Sequence, residues 1–301
     1  MITLDQFRIF IKVAETLNMT RAAEALNLTQ PAVSAAISVI EQRYGIQLFD
    51  RVGRRLQLTI AGRLLLPSAE AVLVQANEAC SVLDDLAGLS RGEVRIASSQ
   101  TVATAWLPRR MARFASRHPN IALSLSVGNT EQAVAAVHDG LADIGVVEGE
   151  IEGHAGAGAL QTKTVGADTL GLYVAPGHPF ADRAIGKREL TGSLWVMREV
   201  GSGTRTHVAR ALAARGLSLD DLRVGLTLPS NGAVLEAAGA SEMIAPVSDL
   251  AAGARLAAGL VKRLAFEFPE RKFTKIRHKA RYANRAARAF LETLEDRGAV
   301  L

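Results

Sequence analysis

The chain has 301 residues, 49% of them hydrophobic and 22% charged, which suggests two or three compact globular units. No uninterrupted apolar run reaches transmembrane length, and the opening MITLDQFRIF lacks the basic stretch and apolar core of a secretory signal. The formal charge of +5 permits a nucleic-acid partner without requiring one, and the single cysteine, Cys80, excludes an internal disulfide and fits a reducing cytoplasm. Clustered Cys and His are missing from the sequence, so no metal, zinc included, and no cofactor are expected.

The most informative stretch is MTRAAEALNLTQPAVSAAISVIEQRYGIQLFDR, Met19 to Arg51. A short helix around Arg21–Leu26 carries Ala22, Ala23 and Ala25, small enough for a close crossing, and Asn27 and Leu28 make a tight turn. A second helix follows, with Thr29 as its N-cap and Pro31 in its first turn, where a missing N–H costs little. At 100° per residue, Val33, Ala36, Ile37 and Ile40 form a core stripe, while Pro31, Ser34, Ala35 and Ser38 form a small polar face without long salt-bridging side chains. This pattern reads as a helix-turn-helix whose second helix enters a major groove. Gln30 suits adenine, Ser34 and Ser38 suit base or phosphate, and Thr20, Arg21, Thr29 and Pro31 border the same surface. FDRVGRRLQLT then suggests a hairpin with Arg51, Arg54 and Arg55 near its tip, a wing able to hold phosphate or reach a minor groove.

From Ile60 to about Ala87 the pattern is one helix, roughly 40 Å long, with Pro67 in its second turn. Leu65, Ala69, Val72, Ala76, Ala79, Leu83 and Leu86 form a heptad seam, which predicts a helix that pairs with a second copy. GLSRGEV, Gly88 to Val94, is a hinge. Beyond it strands and helices alternate, VRIASS, TVATAWLPRRMARFASRH, IALSLSVGN, TEQAVAAVHDG, ADIGVVEG, and again from DTLGLYVAP through EMIAPVS to FTKIRHK and RAARAFLETLE. This rhythm predicts two α/β lobes with largely parallel sheets, in which ligands sit at the carboxyl ends of strands.

Several of those ends carry hydroxyls, glycine and free N–H groups at a helix start: Ser98, Ser99 and Thr101; Gly128, Asn129 and Thr130; Ser202, Gly203, Thr204 and Arg205; and Asn231. Helix starts favour anions. Glu148 lies near the same mouth, where an acid opposes an anion and instead suits a hydroxyl, a positive group or a neighbouring strand; Arg205 has the ligand, Glu199 or Glu236 within reach. The Gly-Ser-Gly-Thr-Arg run is not a Walker loop, because no Gly-Lys-Ser/Thr follows. The densest basic run, Arg271, Lys272, Lys275, Arg277, Lys279, Arg281, Arg285 and Arg288, reads as a solvated strand and helix face rather than a second DNA contact. None of the six histidines sits in a catalytic motif, so the chain is not read as an enzyme, and His207 alone merits testing.

The stretch from LDQFRIF to FDR, continued by LTIAGRLLLPSAEAVL, resembles the winged helix-turn-helix of the LysR-type transcriptional regulators, and GNTEQAVAAVHDGLADIGVVEG, YVAPGHPF and REVGSGTR resemble the effector-binding domain of that family. The resemblance implies a winged helix-turn-helix at 1–59, a linker and dimerisation helix at 60–88, and a periplasmic-binding-protein-like effector domain at 89–301. Its two Rossmann-like lobes would be about 89–163 with 268–301, and about 164–267. It implies double-stranded DNA, a small anion or carboxylate effector lined by Ser99, Thr101, Thr130, Ser202, Thr204 and Asn231, a homo-oligomer built as a dimer of dimers, and RNA polymerase as a further partner. A membrane partner is not expected. Ala237 to Ser248 departs from the short Gly-x-Gly turn of the family, with Glu242 and Pro246 unusual there. A solute-binding protein or an α/β enzyme with an unrelated N-terminal helical domain is the alternative.

Overall fold

The computed structural model describes residues 1–53, 55–86, 92–149, 151–181, 183 and 185–295. The chain divides into two units, Met1–Ala87 and Gly88–Leu301. Arg54 and most of the expected hinge lie outside the described residues.

The first unit runs α1 (Leu4–Thr16), α2 (Met19–Leu26), α3 (Gln30–Tyr44), β1 (Phe49–Val52), β2 (Arg55–Leu58) and α4 (Ile60–Leu86). A reciprocal cap starts α1: Gln6 N–H donates to Thr3 Oγ1 at 3.2 Å, and Thr3 N–H to Gln6 Oε1 at 2.9 Å. Leu17 and Asn27 end α1 and α2 in the left-handed region, at φ 47° and 55°. Phe10, Val13, Ala22, Val33, Ile37, Ile40 and Leu48 form the core, and the methyl side chains of Ala22 and Ala23 let α2 approach it closely. Helix α4 opens against this core. Gly62 stands there because a Cβ would collide with the Leu48 carbonyl, which belongs to rigid backbone. The expected seam of α4 divides in two. Leu65 and Ala69 pack into the core of their own unit, whereas Val72, Leu83 and Leu86 are exposed. The first turns of α4 cover the three-helix core, so the exposed part of the heptad pattern starts later than the sequence suggests.

In the second unit, β3 (Gly92–Ser99), β4 (Ile121–Gly128), β5 (Ile144–Glu148), β6 (Leu160–Asp168) and β12 (Arg271–His278) form a sheet ordered β4-β3-β5-β12-β6. Strands β3, β4 and β5 are parallel, and β12 is antiparallel to both β5 and β6. A second sheet, β11-β7-β10-β8-β9, comprises β7 (Leu170–Val174), β8 (Leu194–Arg198), β9 (Arg223–Leu228), β10 (Met243–Ser248) and β11 (Lys262–Arg263). Here β8, β9 and β10 are parallel, and β7 is antiparallel to β10. Helices α5 (Leu107–Arg117), α6 (Thr130–Asp139) and α11 (Arg285–Glu295) belong to the first lobe. The second lobe holds α7 (Lys187–Gly192), α8 (Gly203–Ala213), α9 (Asn231–Gly239) and α10 (Asp249–Ala257). Ile96, Val146, Phe273 and Phe290 anchor one core, and Leu172, Trp195, Val208 and Ile244 the other.

Three details depart from the sequence reading. The chain crosses to the second lobe at Thr169 rather than near residue 164, because β6 continues along β12 to the Asp168–Arg271 register pair. The helix expected from Thr101 opens as a π-helical turn, Val102–Trp106, before α5 begins. Pro246 lies in a buried inner strand, which its missing N–H would normally forbid. The ladder between β10 and β8 covers only Met243 and Ile244, so that pairing ends before Pro246 and asks for no N–H there.

Candidate functional site

In the first unit the elements present one exposed polar face. Asn18 caps α2, its Oδ1 accepting from the Thr20 and Arg21 N–H groups at 2.9 and 3.1 Å. Thr29 Oγ1 accepts from Ala32 N–H at 3.4 Å and caps α3. Thr20, Arg21, Thr29, Gln30 and Pro31 are exposed, and Ser34 and Ser38 are half-buried on the face opposite Val33, Ile37 and Ile40. Glu41 ties α3 to the hairpin, accepting from the Leu48 and Phe49 N–H groups at 2.8 and 3.4 Å. The wing arginines do not share a face. Arg51 pairs in register with Leu56 and Val52 with Arg55, so the strand alternation puts Arg51 and Arg55 on opposite sides of the hairpin. Both are exposed. Gly53 turns the tip at φ 63°.

In the second unit, the ends of β3, β5, β8 and β9 and the starts of α6, α8 and α9 converge where the two lobes meet. Thr101, Thr130, Glu148, Ser202, Thr204 and Asn231 are all buried there. Thr101 Oγ1 accepts from Asn231 Nδ2 at 3.0 Å, and Asn129 Nδ2 donates to the Val200 carbonyl at 3.3 Å, both across the lobes. Glu131 N–H donates to Gly201 O at 3.3 Å. Gly203 is pressed against the opposite lobe so closely that a Cβ would sit 2.6 Å from both Glu148 O and Thr130 Oγ1. The lobes are therefore shut upon each other.

The hydroxyls are not equivalent. Ser98 Oγ donates to the Val146 carbonyl at 2.6 Å, so it stitches β3 to β5 and leaves the cleft to its neighbour. Ser99 Oγ donates to the Glu148 carboxylate and accepts Glu148 N–H at 3.1 Å. Thr204 Oγ1 accepts from Arg271 Nη1 at 3.0 Å. Ser202 Oγ, on a residue only 1% exposed at the N-cap of α8, has no hydrogen-bond partner among the described residues. Gly128 ends β4 beside Gln132, too close for a side chain of its own. Arg205 Nη1 donates to the Arg198 carbonyl at 3.0 Å rather than pairing with Glu199 or Glu236. Glu199 is held by Arg198, and Glu236 by Arg255 at 2.5 Å.

Three buried charges escaped the sequence reading. Arg198 donates to Asn231 Oδ1 at 2.8 Å and forks onto Glu199 at 2.8 and 2.9 Å. Arg271 forks onto Asp168 at 2.8 and 2.5 Å. Arg271 is 1% exposed, so the basic run around it is not a wholly solvated face: its first member points inward because it pairs with Asp168 across β6 and β12. A glycine loop just after Arg198 was a usable signal for that residue, whereas nothing local marks Arg271 or Asp168. Burial raises the Glu148 pKa above the usual carboxylate range, with Arg271 opposing and Asp168 reinforcing the shift. His207 Nε2 lies 2.9 Å from the Pro269 carbonyl, and burial lowers its pKa.

Comparison with known proteins agrees with this division. The family described as bacterial regulatory helix-turn-helix protein, lysR family, matches residues 4–63, and the LysR substrate binding domain matches residues 87–299. The chain belongs to the LysR family of transcriptional regulators, with a DNA-binding helix-turn-helix and an effector-binding domain of periplasmic-binding-protein-like fold. It is 33% identical over 293 residues to the HTH-type transcriptional regulator YeiE of Escherichia coli K12, covering 97% of this chain and 96% of that one. Its fold matches full-length CbnR complexed with its target DNA, with TM-score 0.69, 20% identity and coverage of 97% and 98%. The regulatory domain of CcmR from Synechocystis PCC6803 in complex with 2-PG matches with TM-score 0.61 and 25% identity, covering 68% of this chain and 96% of that one. The family and its relatives are transcriptional regulators rather than enzymes.

Proposed function

We propose that this regulator holds a small anionic or carboxylate effector between the lobes of its second unit, and that the occupied state changes how a homo-oligomer grips double-stranded DNA. The observation that carries the reading is Ser202: a buried hydroxyl without a partner, at the start of an 11-residue helix, inside a closed interface. An unsatisfied buried hydroxyl costs about 1–3 kcal/mol, and an oxyanion there would accept its proton together with the free N–H groups of the first turn of α8. Thr101, Thr130, Thr204, Asn129 and Asn231 line the same seam between lobes. Gln30, Ser34 and Ser38 read bases, while Arg51 and Arg55 hold phosphates on either side of the wing. The exposed later half of α4 pairs two copies, with residues 1–59, 60–88 and 89–301 acting as reader, coupler and sensor in the cytoplasm. The CcmR regulatory domain of similar fold, in complex with 2-PG, supports a small-molecule ligand for this fold.

Thermal melting of the full-length chain against inorganic anions, carboxylates and phosphorylated metabolites tests the sensor. An effector at a hundredfold its dissociation constant adds about 2.7 kcal/mol to stability. Ser202→Ala should abolish that gain while raising the unliganded melt, because it removes a buried hydroxyl whose desolvation nothing repays. If no compound stabilises the chain, or if the gain survives Ser202→Ala, the site is wrong.

A further inference from the structure

The closed cleft buries two acids, Glu148 and Asp168, beside two arginines, Arg198 and Arg271, whose hydrogen bonds go elsewhere than to Glu148. Arg271 gives Nε and Nη2 to Asp168 and Nη1 to Thr204. Glu148 Oε1 lies 3.8 Å from that same Nη1, an ion-pair contact too long for a hydrogen bond. The other nearby guanidinium, Arg198, is held by Glu199 and Asn231. Glu148 is 1% exposed, and among the described residues the Ser99 hydroxyl is the side chain that hydrogen-bonds its carboxyl. That hydroxyl already accepts Glu148 N–H, so its single proton is directed at the carboxylate.

An anion that binds here must share the space with this carboxyl. Gly203, at the start of α8, touches Glu148 itself: a Cβ would stand 2.9 Å from Glu148 Cγ. The partnerless Ser202 hydroxyl is the preceding residue. A second full negative charge beside a buried carboxylate is strongly repelled in a low dielectric. A proton between the two oxygens turns that repulsion into a charge-assisted hydrogen bond. The groups that act on Glu148 from the surrounding strands are Arg271, Asp168 and Arg198, and burial is the largest influence, raising its pKa.

We propose, building on the anion-effector reading, that Glu148 makes the cleft selective for weak-acid oxyanions, of the phosphate or phosphate-monoester kind, which bind with one proton shared between ligand and Glu148 carboxyl. A strong-acid oxyanion of the same shape and charge, such as sulfate, brings no proton and is rejected unless one is drawn from solvent. The step is a proton shared or taken up, with no other bond made or broken.

The test is calorimetric titration of the full-length chain with inorganic phosphate and with sulfate at matched ionic strength, from mildly acidic to mildly alkaline pH. Phosphate should bind about tenfold or more tightly than sulfate near neutrality, the range set by one charge-assisted hydrogen bond. Sulfate binding should weaken as pH rises and take up a proton, read from buffers of different ionisation enthalpy. Glu148→Gln, which keeps a donor and removes the charge, should bring the two anions within about threefold of each other. Equal binding of both anions by the wild-type chain overturns the proposal whatever the variant does, and so does an unchanged ratio in a folded Glu148→Gln. Tight binding without discrimination overturns only this selectivity. Failure of every anion to bind either protein removes the anion site along with it.

Discussion

Gly203→Ala tests whether the lobes close as described. The added methyl carbon would sit 2.6 Å from the Glu148 carbonyl oxygen and from Thr130 Oγ1, and 2.9 Å from Glu148 Cγ. One of these is backbone of the opposite lobe, which cannot swing aside as a flexible side chain does. Overpacking of this kind costs about 1–3 kcal/mol. In a domain of this size each kcal/mol lowers Tm by about 2–4 °C, so the variant should melt roughly 2–12 °C below the wild type. The control is Gly232→Ala in α9, where a Cβ meets nothing within 4 Å and helix propensity favours alanine by about 1 kcal/mol. That variant should melt at or slightly above the wild type. Scanning calorimetry of the full-length proteins gives both values. Equal melting of Gly203→Ala and the wild type would refute the closed arrangement of α8 against β5 and α6.

Other consequences are equally direct. Asp168→Ala leaves the buried Arg271 guanidinium without its forked partner and should lower stability by about 3–5 kcal/mol, measured by urea denaturation. Because the Glu148 pKa is raised on folding, its contribution is fully present below the ordinary carboxylate value and is lost as pH rises through the raised one. Stability should therefore fall with rising pH across that window, and Glu148→Gln should flatten the fall in melts taken at stepped pH. Arg55→Ala should weaken all duplexes alike and reduce the salt slope by about one, whereas Gln30→Ala should relax preference at one base pair by about 1–3 kcal/mol. Charging the exposed end of α4 with Leu83→Glu and Leu86→Glu should shift the chain to a smaller species in sedimentation, if that helix pairs two copies.

The DNA-reading unit was legible because its signals are local. Thr29, Gln30 and Pro31 mark a helix start within three residues, and the apolar stripe Val33, Ile37 and Ile40 shows a helical period that burial follows. The cleft hydroxyls were legible for a similar reason, since each lies where a strand gives way to a helix. The adjacent serines needed geometry to separate, because strand alternation turns Ser98 and Ser99 to opposite faces and only Ser99 meets Glu148. Arg271 and Asp168 were illegible: they are partners 103 positions apart, and an arginine inside RKFTKIRHK looks the same whether solvent or a carboxylate faces it. Strand β6 was missed because its middle residues are largely exposed and polar, leaving no apolar alternation to read. The heptad in α4 was read as a single seam because periodicity reports an apolar face without saying which partner covers each turn. Ala69 is covered by its own unit.

The central claim is coupling between the two units, and it is tested by the affinity of the full-length chain for a selected duplex, measured at fixed salt with and without the ligand that stabilises the second unit. The expected change is about 5- to 150-fold, with the duplex altering ligand affinity by the same factor, since linkage is reciprocal. Duplex affinity that is identical with the cleft empty and saturated would contradict it.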